Sequence, residues 1–113
     1  MMEVTSERRG STVIINTAGR VDGSNASDFQ DALEANIGAE DSAVILNLAE
    51  LDYISSAGLR IILLSAKNLR QRDIGFSICS LSSSVHELFI ISGFDQIIAI
   101  HSSPEAALAA GEG

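Results

Sequence analysis

The sequence predicts an α/β fold, a mostly parallel, mixed sheet of about five strands carrying about four helices. Three observations point there. From Gly19 onward, short β-branched or apolar runs alternate with segments of helical spacing. Residues 43–48 are nearly continuous in apolar side chains, as a strand covered on both faces must be. The junctions between the runs carry the glycine, serine and proline residues that start and stop helices.

The opening departs from the alternation. Residues 12–17 are short and β-branched, with Gly19 punctuating their end, so they read as a strand. A preceding strand near residues 2–7 pairs with it through a turn at Arg9 and Gly10, making a hairpin. Ser24 or Asn25 then caps a helix whose apolar positions Ala26, Phe29, Leu33 and Ile37 follow helical spacing, with Gly38 as its stop. The central strand at 43–48 follows.

A connector over residues 49–55 leads into a helix over 56–71, with Leu59, Ile62, Leu63, Ala66 and Leu69 on one face. Ile61 and Leu64 lie off that face and read either as a contact patch or as further core. Gly75 opens a strand over 76–81. Ser84 with Glu87 three residues later forms a capping box for a short helix carrying Val85, Leu88 and Phe89 and ended by Gly93. The last strand falls at 97–100. Ser103 followed by Pro104 starts a final helix, whose Gly-Glu-Gly end is expected to fray.

A length of 113 residues with 46% hydrophobic content suits one compact core, so residues 1–113 are expected to form a single domain. The longest apolar stretches, 61–64 and 88–91, fall far short of the ~20 residues that a membrane-spanning helix needs. The amino end, Met1-Met2-Glu3-Val4, lacks the charged segment and apolar run of a secretory signal, which makes the cytoplasm the expected location. The single cysteine, Cys79, has apolar neighbours in Ile78 and Leu81 and reads as a buried small hydrophobe. A net charge of -8 with only seven lysines and arginines argues against nucleic acid, whose phosphates are held chiefly by cations.

The chemistry concentrates in Leu51-Asp52-Tyr53-Ile54-Ser55-Ser56-Ala57-Gly58-Leu59, which joins the central strand to the long helix. Sites in open α/β sheets gather at such carboxyl strand ends. A helix start also offers unpaired N–H groups and the positive end of the macrodipole, so a serine there is well placed to carry a phosphate. On physical grounds alone, Ser55 or Ser56 serving only as a helix cap is the commoner role. Ala57 and Gly58 are small and are expected to leave the backbone accessible.

The run Tyr53-Ile54-Ser55-Ser56-Ala57-Gly58-Leu59 resembles the phosphorylation motif of bacterial anti-sigma factor antagonists, which are stand-alone STAS domains. That motif reads as an aromatic, an apolar residue, usually Asp, the phosphorylated Ser, then Ser, Thr or Ala, and Gly-Leu. The likeness spans nearly the whole chain: Gly19-Arg20-Val21-Asp22 resembles the family's segment after the second strand, residues 44–48 its central strand, and residues 85–94 with Ser92-Gly93-Phe94 its later helix and that helix's end, in the same order. By position the phosphoacceptor is Ser56. Ser55 stands where the family usually has aspartate, which removes a charge and puts a second hydroxyl in range of a kinase.

The resemblance implies partner switching. The unmodified antagonist binds a serine kinase of the histidine-kinase-like ATPase fold, an anti-sigma factor that otherwise holds its target. That kinase phosphorylates the antagonist, and a PP2C-like phosphatase reverses the step. The chain would be a substrate and binder, a monomer or weak dimer, not an enzyme. The expected partner-binding residues are Asp22, Ser24, Ser55, Ser56, Ala57, Gly58 and Leu59; Asp22 reads equally well as a carboxylate at a helix start.

Other classes have less support. An enzyme pairing Ser56 with His86 or His101 would need a base and an orienting partner, and no Gly-x-Ser-x-Gly elbow is present. His86 is expected to face solvent and His101 to end a strand. A phosphoryl carrier using His86, His101 or Cys79 is an alternative that acid stability of the phosphate separates. A scaffold STAS domain of a larger signalling complex is another. There is no Gly-x-x-x-x-Gly-Lys loop and no zinc spacing, so no cofactor or metal is expected.

Overall fold

In the computed structural model, which describes residues 2–112, the chain opens with strands β1 (Met2–Arg9) and β2 (Thr12–Val21). They pair antiparallel from Met2 opposite Gly19 to Arg9 opposite Thr12. Gly10 turns the hairpin at φ +64, a conformation that costs glycine little. Helix α1 (Ala26–Asn36), strands β3 (Ala43–Asn47) and β4 (Leu51–Ile54), helix α2 (Ser56–Gln71) and strand β5 (Gly75–Cys79) follow. Helix α3 (Ser83–Ser92), a 3-10 turn at Phe94–Gln96, strand β6 (Ala99–His101) and helix α4 (Pro104–Glu112) complete the order.

The sheet runs β1-β2-β3-β5-β6, parallel throughout except for the opening hairpin. β3 lies at its centre, as its apolar run predicts. β2 is long enough to serve two neighbours along one edge. Its first half, Thr12 to Asn16, pairs with β3, and its last residues, Gly19 to Val21, pair with β4.

β4 is a sixth strand within the stretch expected to be a connector. Its burial pattern explains why it is hard to read: Leu51 and Ile54 are buried while Asp52 and Tyr53 are exposed, so the alternation that marks a strand is absent. Gly19 does not end β2. It sits at φ +92 where the register shifts, and its N–H donates to the Glu50 carbonyl at 3.0 Å, so the strand bends and continues to meet β4.

Helices α1, α2 and α3 cover one face of the sheet. Val13, Ile15, Val44, Leu46 and Ile78 pack there with Phe29 and Leu33 of α1, Leu59, Ile62 and Leu69 of α2, and Val85 and Phe89 of α3. The Phe89 ring meets Phe94 edge-on at 6.2 Å between centroids. On the other face Ile14, Ile45 and Cys79 pack against Ala107 and Leu108 of α4. Ile61 belongs to the core, whereas Leu64 is 42% exposed. Among the described residues, no helix is long and apolar enough to cross a membrane.

Several boundaries differ from the sequence reading for local reasons. α1 stops at Asn36 because Ile37 is already extended, and the Gly38 N–H is taken by the Asp41 carboxylate. β5 ends at Cys79, where Ser80 turns left-handed at φ +65. The cap of α3 is Ser82, whose Oγ accepts from Val85 N at 3.3 Å, two residues before the Ser84 of the expected Ser84–Glu87 box. That start lets both Val85 and Phe89 reach the core. Gly93 ends α3 in the left-handed conformation, φ +79, as expected. β6 begins at Ala99, since Ile97 still belongs to the end of the 3-10 turn. α4 spans Pro104–Glu112, and Gly113, the last residue of the Gly-Glu-Gly end at which fraying is expected, lies outside the described residues.

Candidate functional site

A parallel sheet with crossover helices begins every helix at the carboxyl ends of its strands. Asn25, Ser55, Ser82 and Ser103 mark those four starts, all on one edge. The Ser55–Ser56 junction is held there from beneath. The Ser55 N–H donates to the Val21 carbonyl at 2.9 Å, tying the start of α2 to the end of β2.

Ser55 and Ser56 have different surroundings. Ser55 is the extended N-cap, half-buried, and its Oγ accepts from Gly58 N at 3.4 Å. Ser56 is the first helical residue. It is exposed, and its hydroxyl makes no side-chain hydrogen bond among the described residues. Capping thus falls to Ser55, leaving the Ser56 Oγ open to solvent at the positive end of a 16-residue helix.

Gly58 serves packing rather than access. A Cβ there would lie 2.6 Å from Ile54 Cγ1 and 2.8 Å from Val21 Cγ1, so only glycine lets α2 descend onto the ends of β2 and β4. Leu59 is likewise buried in the main core. Of the seven residues expected to meet a partner, Ser24 and Ser56 are exposed, and Asp22, Ser55 and Ala57 are half-buried. Gly58 and Leu59 lie beneath the surface.

Asp22 and Ser24 lie directly after β2, next to the carbonyl that holds Ser55. Both the hydroxyl and the N–H of Ser24 donate to Asp22 Oδ1, at 2.6 and 2.9 Å. These bonds, the hydroxyl foremost, hold the Asp22 carboxyl below the usual carboxylate range, so it is anionic near neutrality. Asn25 occupies the N-cap position of α1 without a side-chain cap bond. Its amide instead turns back, accepting from Asp22 N at 2.9 Å and donating to the Arg20 carbonyl at 2.9 Å.

Arg20 and Tyr53, each part of a segment that resembles the family but not joined by the sequence reading, pair in register across β2 and β4. The Arg20 guanidinium lies 4.4 Å from the centre of the Tyr53 ring. Their separation of 33 positions leaves no local signal, and only the β2–β4 pairing joins them.

The alternative nucleophiles lie elsewhere. Burial pushes the Cys79 thiol up, away from the thiolate. His86 is exposed on α3 and His101 ends β6, where the sequence reading puts them. Among the described residues, no group of three or more His, Cys, Asp or Glu side chains is placed to hold a metal ion.

The family model for the STAS domain matches residues 3–107, nearly the whole chain. The chain belongs to the STAS domain family. Its similarity to BtrV of Bordetella bronchiseptica, a protein assigned to the anti-sigma factor antagonists, is 41% identity over 109 residues, covering 96% of this chain and 94% of BtrV. Among solved structures, an anti-sigma factor antagonist from Mycobacterium paratuberculosis superposes with a TM-score of 0.91 at 18% identity, covering 100% of this chain and 96% of that one. The anti-sigma factor antagonist SpoIIAA in its unphosphorylated form gives 0.77 at 18% identity, covering 98% and 97% of the two chains. At these identities the two structures establish the STAS fold, with β4 part of it in this chain.

Proposed function

We propose that this STAS domain, acting as one unit over residues 1–113, is an anti-sigma factor antagonist that switches partners through phosphorylation of Ser56. Unmodified, it binds an anti-sigma factor that is a serine kinase of the histidine-kinase-like ATPase fold, and so frees the kinase's target. The kinase then transfers the γ-phosphoryl group of ATP to the Ser56 oxygen; ADP leaves and the hydroxyl proton is released. A PP2C-like phosphatase hydrolyses the ester and restores the binder. In this reading the chain is a cytoplasmic substrate and binding surface, and the catalysis belongs to its partners.

The observation that carries the reading is the division of labour at the helix start. Ser55 caps α2 and is partly covered, while Ser56 is exposed with a hydroxyl that makes no side-chain hydrogen bond among the described residues. By its position in the motif Ser56 also stands ahead of Ser55 as the acceptor, and the 41% identity to BtrV supports the antagonist role. Asp22 and Ser24, set beside the same strand ends, supply the polar rim of the partner surface. Phosphate adds about -1.5 to -2 charges. A charge of that size facing a close-packed partner is disfavoured by lost hydration and by repulsion from acidic groups.

Substitution tests the assignment directly. Ser56→Ala retains kinase binding in a pull-down and takes up no phosphate from ATP, whereas Ser56→Asp binds poorly. Uptake of phosphate by Ser56→Ala moves the acceptor to Ser55, and loss of kinase binding by Ser56→Ala removes the switch reading altogether.

A further inference from the structure

Helix α2 places a cation beside the proposed acceptor. Arg60 follows Ser56 by four residues inside the same helix, so the two side chains are neighbours on one face, with Cβ atoms about 5–6 Å apart. Both are exposed. Arg60 makes no ion pair among the described residues, and α2 contains no Asp or Glu that could compete for it. The same spacing from Ser55 leads to Leu59, which is buried. Only a phosphate on Ser56 has a guanidinium in reach along the helix.

The order of charges is also the favourable one. An anion in the first turn with its cation one turn later agrees with the macrodipole at both positions. A guanidinium offers paired N–H donors that match two phosphate oxygens, which a lone ammonium does not. Arg20, the other cation near this edge, is stacked on Tyr53 and belongs to the sheet rather than to α2.

We propose that Arg60 is a phosphate clamp: on modification of Ser56 its guanidinium closes over the phosphate and holds it against the first turn of α2. Modification then changes two features of the surface at once. It adds a dianion at the helix tip, and it withdraws a free guanidinium that the unmodified chain displays to a partner. Arg60 is a positioning residue here, and the inference rests on Ser56 being the acceptor in the cell.

The test installs phosphoserine at position 56 of the full chain during translation, so that it needs no kinase. The second ionisation of the phosphate is then followed by phosphorus NMR against pH in the parent, Arg60→Gln, Arg60→Lys and Arg20→Gln proteins. The clamp requires the parent pKa to lie below that of Arg60→Gln by about 0.2–0.4 unit, with Arg60→Lys between them and Arg20→Gln like the parent. Equal values in the parent and Arg60→Gln overturn the clamp, as does a rise confined to Arg20→Gln. Phosphopeptide mapping after treatment with the kinase and ATP examines the acceptor separately. Phosphate found on Ser55 there moves the acceptor and removes the clamp from the switch, while leaving the NMR result standing as chemistry of the helix.

Discussion

The two edges of the sheet are built differently. At the amino edge, side chains far apart in sequence lock the backbone. Arg8 donates to both oxygens of Asp41, at 3.1 and 2.9 Å, and to the Asn36 carbonyl at 3.1 Å. Gly38 N adds a bond to the same carboxylate at 2.6 Å, and Ser11 and Ser42 join β2 to the approach of β3 at 2.7 Å. At the carboxyl edge a long-range side-chain bond, Asn47 Nδ2 to Asn16 Oδ1 at 2.8 Å, joins β3 to β2, but around the serine junction the bonds are local, spanning two to five positions about Asp22, Asn25 and Ser55, and Ser56 has none among the described residues. Long-range side-chain locking is concentrated at the amino edge, while the serine junction rests on local bonds.

The largest expected effect comes from the one place where the carboxyl edge is tightly packed. Gly58→Val is expected to cost about 2–3 kcal/mol in urea unfolding, because its side chain must displace Ile54 and Val21. A change near zero means that the start of α2 is looser than its contacts indicate.

Next comes Asp41. Its carboxyl is held below the ordinary value, first by the hydrogen bonds from Arg8, so its stabilisation is fully present above about pH 4 and is lost as pH falls through the depressed folded value. Asp41→Asn is therefore expected to melt lower than the parent at pH 7 and to show a shallower loss of stability between pH 4 and 2. Parallel acid profiles for the two proteins remove the amino-edge lock from the comparison.

The serine pair supplies the smallest effects and the sharpest contrast. Ser55→Ala removes a long cap bond and is expected to cost about 0.5–1 kcal/mol. Ser56→Ala is expected to stay within about 0.5 kcal/mol of the parent, as for an exposed side chain without partners. Equal losses for both, measured by thermal melts, mean that capping is shared and that Ser56 is not held free.

What could be read from the sequence follows the range of the interactions. The apolar run of β3, the helical face of α2 and the stop at Gly93 are written in neighbouring residues, and each appears in the structure. The serine junction was legible because caps and motifs are also local. β4 was not, since its four residues show no period-two pattern and its existence depends on β2 extending past Gly19. Gly58 was misread for the same reason: its smallness answers Val21, 37 positions earlier, as well as nearby Ile54. The Arg8–Asp41 lock spans 33 positions and left no trace in composition or spacing.

The shared edge of β2 sets how this molecule can tolerate inserted residues. An extra residue among Leu48, Ala49 and Glu50 can bulge outward while both ladders keep their partners. The same insertion between Asn16 and Gly19 would slide one ladder against the other. It would carry Val21, and with it the anchor of the Ser55 amide, out of step with β3, so length variation is accommodated in the hop between β3 and β4 and resisted inside β2.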